Sequence, residues 1–115
     1  MRRRGGQDPA PEWAVWLVAA TPLLFAIISL PMALDLIGPN PAYGVRTAAT
    51  LASEEAWYRA NHASGIAGVA AGIIGFAANV AVARSRASAQ RRLGICLGIV
   101  LLATAVMIVP GLMAA

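Results

Sequence analysis

Tyr43, Arg46, Thr47, Thr50, Ser53, Glu54, Glu55, Trp57, Arg59, Asn61 and His62 form the one dense polar constellation in this 115-residue sequence. These residue types suit hydrogen bonding, ion pairing and recognition. Catalysis needs more: a convergent nucleophile, base and orienting group, or a metal with several ligands. His62 and Cys96 are the single histidine and the single cysteine, and there are five acids. No metal-ligand spacing, phosphate-cradling glycine loop or nucleophile motif joins them. The expectation is therefore a protein that is not an enzyme and uses neither metal nor cofactor. His62 reads as an interfacial hydrogen-bonding residue, Asn79 as a bridge between helices, and Cys96 as a small buried side chain.

The constellation has two uses. As a structural lid, Arg46 folds back onto Glu55 or Asp35 and Asn61 satisfies backbone groups where the following helix begins. As a recognition surface, Arg46 and Trp57 are the natural anchors, because these residue types dominate interface energetics. The two uses are compatible.

The element that must position these groups is a long helix. Ser53 is a good N-cap, Glu54 and Glu55 put negative charge in the first turn, and Glu55 with Arg59 is an i, i+4 pair in the favourable orientation. No proline interrupts the stretch that follows, so one helix is expected over 54–83. Along it Trp57, Asn61, Gly65, Gly68, Gly72, Gly75 and Asn79 recur at spacings of 4, 4, 3, 4, 3 and 4, which places them on one face. From Gly65 onward the stretch is almost wholly apolar, so the stripe reads as a contact face in a membrane, where small residues admit a neighbouring backbone. Gly94 and Gly98 form a second small-xxx-small pair. The economical arrangement packs the second and third spans as an antiparallel hairpin through these glycines, with a homo-oligomeric interface as the competing use.

Composition agrees with a membrane setting: 59% of residues are hydrophobic and 12% charged, with a mean hydropathy of +0.70. Helices are expected at about 13–36, 54–83 and 93–114, with spans at about 13–36, 63–83 and 93–114, each long enough for a hydrocarbon core of about 30 Å. The fold class expected is all-α: an integral membrane three-helix bundle over 13–115, preceded by a disordered arm at 1–12. An ordered extracytoplasmic loop joins the first two helices; its Gly38-Pro39-Asn40-Pro41 opening cannot be helical throughout, and order returns at Ser53. Pro22 and Pro31 lie within the first span, where freed carbonyls must be satisfied by neighbours or by Thr21 and Ser29. Met1–Arg4 before an apolar run could be a secretory signal, but the run is long and opens on Trp13 and Trp16, so it is expected to be retained.

All nine basic residues are arginine. Seven fall before the first span or between the last two, and Arg46 and Arg59 alone lie in the first loop. The positive-inside rule then sets the amino terminus in the cytoplasm and the carboxyl terminus outside. The expected location is the bacterial inner membrane. The arginines read as topology determinants and contacts to membrane lipid; no basic cluster is interleaved with aromatics in the way that nucleic-acid binding wants.

The run from Tyr43 to Gly65 resembles the signature of the SdpI family of bacterial membrane proteins, in which Gly-[Ile/Val]-Arg-Thr leads through Thr-Leu to Trp, then Asn or His, then Gly. The matching positions are Gly44, Arg46, Thr47, Thr50, Leu51, Trp57, Asn61 and Gly65. The resemblance implies an α-helical integral membrane protein related to an immunity component. That component protects bacteria from a secreted toxin peptide and sequesters a transcriptional repressor at the membrane. The expected function is binding, in toxin-peptide immunity or membrane signalling, with a membrane protein or a second copy as partner. The alternative is a structural accessory subunit of a larger membrane complex. A small multidrug transporter fits poorly, since the acid nearest the first span, Asp35, stands at its end.

Overall fold

A computed structural model describes residues 9–114 of the chain. The elements in order are α1 (Glu12–Ala33), α2 (Ala48–Leu51), α3 (Glu54–Ala83) and α4 (Ala89–Ala114). Among the described residues there is no strand. Three of the helices, α1, α3 and α4, are long and apolar enough to cross a membrane, and α3, at 30 residues, spans about 45 Å. The bundle has two ends. The loop end holds the segment between α1 and α3, and the arginine end holds the turn between α3 and α4. Most of the expected arm, residues 1–8, lies outside the described residues.

Capping sets the boundaries. The first helix stops at Ala33 instead of running to 36 because the chain closes it with a Schellman arrangement: Leu36 N–H donates to Pro31 O at 2.9 Å and Asp35 N–H to Met32 O at 3.2 Å. Asp35 takes the left-handed position at φ +58°, which a short polar side chain tolerates better than most. Order returns before Ser53, since Thr47 and Thr50 form a reciprocal capping box around the single turn of α2. Ser53 caps α3 as its sequence indicates, its hydroxyl accepting from Ala56 N–H at 3.0 Å. Helix α4 begins at Ala89, four residues before the expected start, because Ser88 Oγ accepts from Arg91 N–H at 3.2 Å.

The stripe on α3 is buried along its whole length, from Trp57 and Asn61 through Gly65, Gly68, Gly72 and Gly75 to Asn79. Its partner is chiefly α1. A Cβ on Gly72 would stand 2.6 Å from both Pro22 O and Ala26 N, one on Gly65 would collide with the backbone of Met32 and Ala33, and one on Gly68 would collide with Ser29. Helices α3 and α4 do pack as the expected antiparallel pair, with Gly68 and Gly75 near Met107 and Ala103, but the expected contact through Gly94 and Gly98 is corrected. Gly94 and Gly98 are exposed, and an added Cβ at either meets nothing within 4 Å. Helix α4 turns a different face inward, made of Arg92, Cys96, Ala103 and Gly111.

Both prolines of α1 are accommodated by the neighbours. Three residues before Pro22, Ala19 O receives Asn79 Nδ2 at 3.5 Å; three before Pro31, Ile28 O receives the Tyr43 hydroxyl. Thr21 bonds Leu17 O, and Ser29 bonds the Met107 sulfur. Side chains from α3 and the loop thus supply donors in the turns where proline disturbs the helical ladder.

At the arginine end Val15, Ala19, Ala83 and Cys96 make a compact core. Beside it Arg92 Nη1 and Nη2 donate to the two carboxylate oxygens of Glu12 at 2.7 and 2.8 Å, and Nη1 also caps Ala83 O at 2.9 Å. One side chain therefore ties α1, α3 and α4 together. Arg92→Met should lower the melting temperature in detergent more than Glu12→Gln does, because the latter leaves the guanidinium its carbonyl partners Ala83 and Ala87. Differential scanning fluorimetry of the two variants checks the order.

Candidate functional site: the clamped loop

Short-range chemistry organises the loop between α1 and α2. Asn40 Nδ2 donates to Gly38 O at 2.9 Å and Tyr43 O at 3.0 Å, while its Oδ1 accepts from Ala42 N at 2.9 Å and Tyr43 N at 2.6 Å. One asparagine thereby closes the proline-flanked turn.

A second asparagine fastens the loop to the bundle. Asn61 Oδ1 accepts from Val45 N at 2.6 Å, and Nδ2 donates to Val45 O at 3.3 Å and to Trp57 O at 3.0 Å. Gly44 passes over this amide at φ +105°, where a Cβ would lie 2.7 Å from Asn61 Oδ1 and 3.2 Å from the Trp57 ring. Both the conformation and the close approach require glycine. Trp57 is fully buried and donates Nε1–H to Ile37 O at 2.8 Å, and Thr50 is fully buried within its capping box.

Of the two anchors expected for recognition, only Arg46 is exposed. Its Nε donates to Asn40 O at 2.7 Å, and the expected ion pair with Glu55 or Asp35 is not formed. Those acids have other partners: Glu55 meets Arg59 at 3.5 Å, and Asp35 meets His62 Nδ1 at 3.0 Å. Trp57 holds the loop from inside and touches no solvent. Asp35, Glu55, Tyr58, Arg59 and His62 line an open groove on the outer flank of α3.

Below the loop lies a cavity of about 250 Å³ between α1 and α4. Apolar groups of Ile28, Met32, Val45 and Met107 make most of its wall, and Ser29, Ser64 and Tyr43 bring hydroxyls to it. A cavity lined mainly by apolar side chains with a few polar groups is the ordinary form of a small binding site. Its walls are fixed, since Ser64 Oγ donates to Met107 O and Gly111 of α4 sits where a Cβ would lie 2.8 Å from Ser64 Cβ and 2.9 Å from Val45 Cγ2. Arg59 Nε–H, donating to Ala114 O at 2.8 Å, ties the end of α4 to α3.

Several of these groups have no signal in the sequence. Gly111 and Ser64 carry no local motif, and Val45 enters the clamp through its backbone alone. The Glu12–Arg92 pair joins residues 80 positions apart. Gly44 was visible as part of the signature but not as a left-handed position.

Three membrane-length helices with a clamped polar loop at one end define a small α-helical integral membrane protein. The profile of the SdpI/YfhL protein family matches residues 37–113, and the chain belongs to that family. The matched segment holds the loop, α2, α3 and nearly all of α4. Helix α1, which fills the glycine face of α3, precedes it. Neither curated proteins nor solved structures gave a match.

Proposed function

We propose that the protein acts by binding, as an SdpI-type immunity or membrane-signalling protein whose loop end receives a membrane-active peptide. The observation that carries this reading is the cavity of about 250 Å³ under a loop held in one conformation by Asn61 and Trp57. A rigid loop loses little conformational freedom on binding, which favours affinity. The cavity offers space for an apolar side chain. Arg46, exposed and bonded through Nε to Asn40 O, keeps its two terminal nitrogens for a carboxylate. In this reading the protein lies in the bacterial cell membrane with its arginine end in the cytoplasm and its loop end outside, as the arginine distribution favours.

The test is challenge with a secreted toxin peptide. Cells lacking the protein should be more sensitive than the parent strain. Ile28→Trp, at the cavity wall on an exposed position, and Arg46→Ala should each remove protection while the protein still accumulates in the membrane. Equal sensitivity of the deletion and parent strains overturns the reading. Purification with one unrelated membrane complex at fixed stoichiometry, together with that equal sensitivity, supports an accessory subunit instead.

A further inference from the structure

The arginine end carries a feature that binding at the loop does not use. Arg84, Arg86, Arg91 and Arg92 stand in the α3–α4 turn and the first turn of α4. Arg92 is satisfied by Glu12. The other three are exposed, and no acidic partner meets them among the described residues. The remaining described acids, Asp35, Glu54 and Glu55, lie at the opposite end of the bundle. Three exposed cations at this end are thus open to an anion, with no described acid beside them.

Midway along the bundle an apolar groove of about 340 Å³ lies between α3 and α4. Ile74 and Ala78 form one wall, Ile99 and Leu102 the other, and Gly75 and Ala103 the floor. On α4 its face continues to the arginines: Arg91, Ile95, Ile99, Leu102 and Val106 recur at spacings of 4, 4, 3 and 4, and Ile95 is 44% exposed. Gly94 and Gly98 leave open space along the edge of this stripe. An apolar groove that the α4 stripe continues toward cations paired by no described acid matches a molecule with an anionic head and an apolar tail.

We propose that this groove is a binding site for an anionic phospholipid, with one acyl chain along the α3–α4 trough and the phosphate held by Arg84, Arg86 and Arg91. Topology alone needs arginines in the turn but no groove on the apolar face that continues to them. The arginines lie at the opposite end of the bundle from the proposed peptide cavity, and the phosphate contact does not depend on that cavity.

Native mass spectrometry of the full chain, purified in mild detergent and titrated with phosphatidylglycerol or phosphatidylcholine of identical chains, tests the site. One phosphatidylglycerol per chain should be retained at a lipid concentration at least about tenfold lower than phosphatidylcholine requires. Each arginine near the bilayer surface contributes about fivefold to such binding, so the Arg84→Gln/Arg91→Gln double variant should lose about 25-fold. Ile99→Trp, which fills the trough, should weaken retention of both lipids and leave the headgroup preference in place. Equal retention of the two lipids by the wild-type chain overturns the proposal, as does unchanged phosphatidylglycerol binding by the double variant. A dimer mass that Ile99→Trp abolishes would also overturn it, by showing a second copy in the trough.

Discussion

Gly72→Leu should unfold the bundle where Gly98→Leu leaves it intact. At Gly72 even a single Cβ would come within 2.6 Å of Pro22 O and Ala26 N, and both are backbone atoms of a helix that cannot swing aside as a side chain does. To admit leucine, α1 must move away from α3 along the whole stripe, losing the close contacts at Gly65 and Gly68 as well. Overpacking a filled core commonly costs about 1–3 kcal/mol, and a backbone-to-backbone collision belongs at or above the upper figure. Gly98 has open space at its Cβ position, so leucine there faces lipid and should change stability by no more than about 0.5 kcal/mol. Unfolding by SDS titration in mixed micelles, followed by circular dichroism, measures both. Equal effects at the two positions would mean that the glycine stripe is not the seat of helix association.

The contrast between these glycines shows what small-residue spacing conveys. The rhythm from Trp57 to Asn79 identifies a face built for close approach, and that face is buried. It does not identify the neighbour. The complementary set on α1 was present in the sequence: Val15, Ala19, Pro22, Ala26, Ser29 and Ala33 recur at 4, 3, 4, 3 and 4 and are all buried. Pro22 and Ser29 draw attention for the carbonyls that proline frees, and nothing local marks the stripe as the matching surface. Gly94 and Gly98 share the local pattern, yet the inward face of α4 is fixed by Arg92, Cys96 and Ala103. A glycine pair without a facing stripe carries little information in a membrane, where glycine is common. The loop was legible in part for a similar reason. Capping residues announce themselves within three or four positions, as Ser53 does, whereas the Asn61–Val45 clamp joins a side chain to a backbone 16 residues away and leaves no mark on the residue it holds.

That clamp makes the second strong prediction. Asn61→Leu keeps the branched shape and the number of heavy atoms but strips Val45 of partners at both its N–H and its C=O, and removes the amide that Gly44 rests against. Asn61 is only 2% exposed, so little water reaches these groups to replace it. Each polar group left buried and unpaired costs about 1–3 kcal/mol. The loop should respond by lifting away, since opening restores its backbone to water while α3 keeps its own helical bonds. Local opening that is easier by about 2.7 kcal/mol raises the open population about 100-fold, and tryptic cleavage after Arg46 should accelerate by a similar factor where cleavage follows the open form. Gly44→Ala should reach the same state by another route, because its Cβ displaces the Asn61 amide and its backbone is strained at φ +105°. The two substitutions break one unit, so the double variant should be cleaved little faster than either single variant. Cleavage of Asn61→Leu at the wild-type rate would show that the loop is held by Trp57 and Tyr43 without the clamp. Fully additive rates would show that Gly44 and Asn61 act on the loop independently.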